Sequence, residues 1–118
     1  MLEKYFKYVI IFLMGISCIK LSEKNIQAQC IDYLRITRWY VVENYRNTKW
    51  VPGVPDICAV RGGRTVWIEF KTEIGKQSEC QKQFEQNIKF HGGEYIIVRS
   101  LEGLMEYLDD ERIQGEMF

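Results

Sequence analysis

The chain has 118 residues, 47% hydrophobic and 27% charged, with no net charge at pH 7. That length carries one modest core and excludes a second large domain, and the composition is that of an ordinary globular chain, not a disordered one. The charge is unevenly spread: residues 20–100 hold 13 Lys/Arg against nine Asp/Glu, whereas residues 101–118 hold one Arg against six acids. A mildly basic body with an acidic tail suits a polyanion partner, and equally suits ordinary solvated faces.

The chain opens with "YVIIFLMGISCI" at 8–19, an almost wholly apolar run flanked by Lys4, Lys7 and Lys20. It is shorter than the roughly 20 residues that span a bilayer. It has the length of a signal-peptide core, of an extra helix on the domain, or of leader sequence before a true start at Met14. Residues 1–21 are therefore set apart as a hydrophobic N-terminal extension, and 22–118 as the folded domain.

From Ser22 the pattern is clear. Ser22 is a good N-cap, and Ile26, Cys30, Tyr33/Leu34 and Thr37 recur at helical spacing, so the spacing predicts a helix over 22–36. The aromatic and β-branched run 38–44 reads as a strand. Residues 45–54 hold a Pro and Gly53 and read as a loop. Residues 55–61 and 64–71 read as two strands joined by Gly62-Gly63, a strong two-residue hairpin signal. A polar loop follows. Ser78 and Gln81 then form a capping box for a helix striped by Cys80, Phe84 and Ile88 and stopped by Gly92-Gly93. Residues 94–100 read as a buried strand and 100–110 as a short amphipathic helix. The order α-β-β-β-α-β-α makes an α/β sandwich around a mixed sheet.

Cys18, Cys30, Cys58 and Cys80 match no zinc spacing. Three of them fall on predicted apolar faces, as reduced thiols of a cytoplasmic protein would. His91 is the only histidine, so His-based metal sites and Ser-His or Cys-His catalysis have little to draw on. Its place just before Gly92 suits a helix end.

The chemistry concentrates in "VPDICAVRGGRTVWIEFK", residues 54–71. If Gly62 and Gly63 are the turn, Cys58 faces Trp67 and Asp56 faces Glu69. Two carboxylates then lie across one sheet face about 5 Å apart, a repulsive arrangement. Lys71 points to the same face, and Val66, Ile68 and Phe70 point to the other. A divalent cation between the carboxylates would remove the repulsion. Oxygen donors without His or Cys suit Mg²⁺ or Mn²⁺, not zinc. A cation, an ammonium and a phosphate together describe phosphodiester hydrolysis. The alternative is that Glu69 and Lys71 form a surface ion pair and that Asp56 only starts a turn after Pro55.

Pro55-Asp56, twelve residues, then Glu69-Phe70-Lys71 resembles the PD-(D/E)xK motif of the restriction-endonuclease-like fold. With "GVPDI", "WIEFKTEIGKQSECQ" and "GGEYIIVRS", residues 22–103 resemble the VRR-NUC family, the virus-type replication-repair nucleases. The resemblance implies an α-β-β-β-α-β core, Mg²⁺ or Mn²⁺, and DNA cleavage. It implies Asp56, Glu69 and the backbone carbonyl of Phe70 as metal ligands. Lys71 would orient the attacking water or stabilise charge developing on the phosphate. It also implies Gln81 near the site, although the capping box explains that residue equally well. Glu23 would be a further acid able to help hold the metal, although as a first-turn acid it also suits the helix dipole. Arg46, Lys49 and Lys76 are candidates for backbone phosphate contacts.

Two functions remain open: an active metal-dependent endonuclease in replication, repair or recombination, and a non-catalytic DNA- or partner-binding module on the same fold. The intact Asp56, Glu69 and Lys71 favour the enzyme. A third reading, an exported or membrane-anchored protein, rests on residues 1–21 alone. A stand-alone nuclease domain of this size gains grip on DNA by pairing. Stand-alone members of the family resemble Holliday-junction resolvases in this respect. The expectation is therefore a cytoplasmic homodimer cutting branched DNA by structure.

Overall fold

The computed structural model describes residues 21–44 and 51–116. The apolar run 8–19, Cys18, Arg46 and Lys49 lie outside them. Helix α1 (Glu23–Ile36) is followed by strands β1 (Tyr40–Glu43), β2 (Ile57–Arg61) and β3 (Arg64–Phe70), helix α2 (Glu79–Phe90), strand β4 (Glu94–Val98) and helix α3 (Leu101–Glu116). The sheet order is β1-β2-β3-β4, with β1 through β3 antiparallel and β4 parallel to β3. This is the expected α/β sandwich around a mixed sheet.

Local chemistry sets the boundaries. Ser22 caps α1, accepting the Asn25 N–H at 3.2 Å. Between α1 and β1 the chain turns through Arg38 at φ 72°, a left-handed conformation unusual for arginine. That turn shortens the expected strand 38–44 to 40–43 and drops Trp39 into the core. Gly62 and Gly63, at φ 58° and 81°, make the two-residue turn whose twist matches the flanking strands. The resulting register places Cys58 opposite Trp67 and Arg61 opposite Arg64, as the turn position requires. The last helix runs six residues beyond its expected end.

The two sides of the sheet are packed unequally. Ile26, Cys30 and Leu34 of α1 and Leu104, Met105 and Leu108 of α3 meet Ile57, Ala59, Val66, Ile68, Phe70 and Val98 in the core. On the other side α2 has no fully buried residue. It docks through Phe84, whose ring lies edge-on to Trp67 at 5.3 Å and tilted against Tyr95 at 6.4 Å. Cys80, expected on the apolar stripe, is exposed. It is the second residue after the N-cap, and the group that packs there is its backbone carbonyl, against Gly53, not its thiol.

At the turn-side end of the sheet, Arg64 makes two parallel bonds to Glu94, at 2.9 and 2.6 Å, and lies 5.7 Å from the centroids of both Trp39 and Tyr107. The Tyr107 hydroxyl also donates to Glu94. Burial pushes the Glu94 carboxyl up, but the hydrogen bonds from Arg64 and Tyr107 and the guanidinium charge outweigh it and hold it below the usual range. Among the described residues no helix is long and apolar enough to cross a membrane.

Candidate metal centre

The site forms at the end of the sheet away from the Gly62-Gly63 turn. Two contacts fix the backbone leading into β2. Asn44, just past β1, donates its N–H to the Asp56 carbonyl at 2.8 Å and its side-chain amide to the Pro55 carbonyl at 3.0 Å. Gly53, at φ +79°, packs so closely on the start of α2 that a Cβ there would lie 2.2 Å from the Cys80 carbonyl oxygen. The loop before Asp56 and the first turn of α2 are therefore held together.

Asp56 and Glu69 are both buried, at 7% and 1% exposure. Asp56 Oδ2 accepts the Phe70 N–H at 2.8 Å, which ties the lead-in of β2 to the end of β3. Glu69 stands on the sheet face opposite the buried Ile68 and Phe70 side chains. Glu23, half-buried in the first turn of α1, completes the group: Glu23, Asp56 and Glu69 each offer a carboxylate oxygen, all within 4.8 Å of one another. Phe70 fills the core with its side chain and faces the site through its backbone.

Gln81 makes both a capping contact and a contact to Glu69. Its Oε1 accepts the Ser78 N–H at 2.8 Å, completing the capping box, while its Nε2 donates to Glu69 Oε1 at 2.8 Å. A primary amide has a separate acceptor and donor end, so one side chain caps the helix and orients the carboxylate. Lys71 Nζ lies 3.8 Å from the same Glu69 oxygen. Both partners are largely shielded from solvent, so this is not a surface ion pair.

Glu69 Oε2 is buried without a hydrogen-bond partner. Buried carboxylate oxygens are rarely left so, because the lost hydration is costly. Burial, and then the Asp56 carboxylate, push the Glu69 carboxyl up to about 8, with Lys71 pulling partly back. Such a perturbed acid is a marker of a functional site. The donor set is three carboxylates with no nitrogen or sulfur, and it fits a hard divalent cation of the Mg²⁺ or Mn²⁺ type.

Lys76 is exposed in the loop between β3 and α2. Sequence reasoning missed Asn44 and Arg99. Asn44 read only as the end of a strand. Arg99, just past β4, donates through one guanidinium nitrogen to the Thr72 carbonyl at 2.6 Å and the Gly75 carbonyl at 2.8 Å, with Glu73 O at 3.4 Å. Both act on backbone atoms far away in the chain, and nothing in residue type announces such contacts.

A four-stranded mixed sheet, flanked by helices and carrying paired carboxylates at the open end of a hairpin, is the restriction-endonuclease-like fold. Two solved structures share it at a TM-score of 0.65 each. One, a VRR_NUC domain, is 17% identical and aligns over 74% of this chain and 94% of its own; the other, a VRR_NUC domain protein, is 14% identical and aligns over 77% of this chain and 88% of its own. At these identities the likeness is one of fold. No family model matches the chain, and no curated protein matches it.

Proposed function

We propose that the chain is a VRR-NUC-type nuclease, a metal-dependent endonuclease that hydrolyses DNA phosphodiester bonds and selects branched substrates by structure. The observation that carries the reading is the partnerless, buried Oε2 of Glu69, on a side chain grouped with the Glu23 and Asp56 carboxylates and whose other oxygen lies by Lys71. Glu23, Asp56, Glu69 and the Phe70 carbonyl would hold Mg²⁺ or Mn²⁺. When bound, the cation would supply Lewis-acid polarisation of a phosphoryl oxygen and a more acidic water.

The chain's own groups do the rest. Gln81 pins Glu69 Oε1, which fixes the carboxylate's rotation and leaves Oε2 for another partner. Lys71 places a cation that would orient the attacking water and stabilise charge gathering on the scissile phosphate. Asp56, braced by the Phe70 N–H and held through Asn44, keeps its position when the negative charges come together. Lys76, together with Arg46 and Lys49, would meet neighbouring phosphates.

The branched substrate and a homodimer belong to the same reading. A single small module buries only about 600–1,000 Å² on DNA. A two-fold pair doubles the phosphate contacts and sets two sites symmetrically about a four-way junction. The test is cleavage of linear, flapped and four-way DNA with and without Mg²⁺, alongside metal titration of the protein. Cation-dependent cutting with preference for the junction is the expected result. Cation and DNA binding without cutting would replace the enzyme with a binding module.

A further inference from the structure

The loop between β3 and α2 begins with a tight turn. The Gly75 N–H donates to the Thr72 carbonyl at 3.1 Å, which puts Glu73 and Ile74 at its centre. Arg99 clamps the turn from outside, donating to the carbonyls at both ends of it. Gly75 is closely fitted as well: a Cβ there would lie 3.1 Å from Thr72 Oγ1. The turn is a built feature, and it starts directly after Lys71.

At its centre sits Ile74, 88% exposed and the most exposed large hydrophobic side chain among the described residues. Turn centres favour Gly, Asn, Asp, Ser and Pro, each for a local reason, and isoleucine offers none of these. Single exposed apolar residues are common on protein surfaces. Phe90 is nearly as exposed, at 86%, yet its ring meets the His91 ring at 5.2 Å. Ile74 differs in sitting at the centre of a clamped turn that begins directly after Lys71. The turn carries Glu73 and is bordered in the chain by Lys71, which pairs with Glu69, and by the exposed Lys76, whose ammonium is open to a phosphate.

An aliphatic side chain gives nothing to a phosphate. In intact duplex the faces of the base pairs are covered by stacking. At a branch point the continuous stack is interrupted and more easily opened, and apolar side chains such as Ile insert at opened base steps. We propose that the Arg99-clamped turn Thr72–Gly75 presents Ile74 against an unstacked base face at a DNA branch. Ile74 is then a specificity-determining contact and Arg99 its positioning residue. The inference rests on the nuclease reading and supplies it with a source of branch preference.

Binding is measured by fluorescence anisotropy on the full chain, with Ca²⁺ in place of Mg²⁺, to a four-way junction and to a linear duplex of equal length. Ile74→Ala should weaken junction binding about tenfold, the scale of losing one buried aliphatic contact. Duplex binding should change by less than about twofold, since phosphate contacts dominate it. The melting temperature and its rise on adding Mg²⁺ should not move. Arg99→Ala should reproduce the junction defect, and Arg99→Lys, which keeps an N–H donor, should recover part of it. An unchanged junction-to-duplex ratio in Ile74→Ala overturns the inference and turns Ile74 towards a protein partner. A wild-type chain that binds neither DNA overturns the nuclease reading together with this one, so the two failures are told apart.

Discussion

Glu69 satisfies two neighbours with one oxygen and leaves the other unsatisfied in the protein interior. Gln81 and Lys71 both approach Oε1, while Oε2 has no donor. Such an arrangement costs the fold, because the buried oxygen loses its hydration without a replacement. In chelator, Glu69→Gln should therefore be at least as stable as wild type, and more so above about pH 8, because the amide never ionises beside Asp56 and can keep an oxygen towards Gln81. Its melting temperature should no longer rise with Mg²⁺, and cleavage should be lost. A variant that still gains stability from Mg²⁺ would remove Glu69 from the cation site. Lys71→Ala should fold and bind Mg²⁺ but cut DNA about 10²–10³-fold more slowly, as expected when one preorganised charge is lost. Wild-type turnover by Lys71→Ala would remove it from the chemistry.

Between elements, two joints carry testable consequences. The first is Gly53 against the start of α2. An alanine there must accept both a left-handed backbone and overlap with the Cys80 carbonyl. The strain alone is about 1–2 kcal/mol, and the overlap would push α2 from the sheet. Because α2 carries Gln81, Gly53→Ala should lower stability in urea denaturation and weaken Mg²⁺ affinity together. Destabilisation with unchanged affinity would show that the joint supports the fold alone.

The second joint is the Arg64–Glu94–Tyr107 cluster, which ties β3, β4 and α3 at the other end of the sheet. Glu94 is held below its ordinary carboxylate value in the folded chain. Its contribution is therefore present above about pH 4.5, the unfolded value, and is lost as pH falls through the lower folded value. Urea denaturation of wild type against Glu94→Gln should show a stability difference that is constant from pH 7 to pH 5 and shrinks in more acid solution. A difference that grows on acidification would reverse the assigned direction.

For the whole molecule, the unequal packing of the two sheet faces bears on function. The α1 and α3 side is a closed core, with Leu34, Leu104 and Met105 fully buried. The α2 side is held by the Phe84 ring against Trp67 and Tyr95, the close fit of Gly53 on Cys80 and the Gln81 bond to Glu69. Glu69 thus stands on a sheet whose other face is a closed core, and projects to the more loosely covered side. A homodimer acting on junctions should sediment as a dimer alone and as a dimer with one four-way DNA. A strict monomer that cuts flaps better than junctions would change the substrate and leave the carboxylate chemistry in place.

What the amino-acid order determined is what depends on neighbours in the chain. Gly62-Gly63 admits only one register for β2 and β3, and that register alone brings Asp56 across from Glu69 on the face shared with Lys71. Ser78 and Gln81 announce the start of α2, and Ser22 that of α1. These features are readable because turn geometry, pleat alternation and capping act over a few residues. Tertiary structure decided the rest. Whether Glu23 faced solvent or the acids depended on how α1 docked against the core. Gln81 could reach Glu69 only because Gly53 let the loop close on α2. Arg99 found the turn at Thr72–Gly75 because β4 lies parallel to β3 and returns the chain to the same end of the sheet. Each of these joins residues 12 or more positions apart through packing, and no local spacing encodes which surfaces will meet.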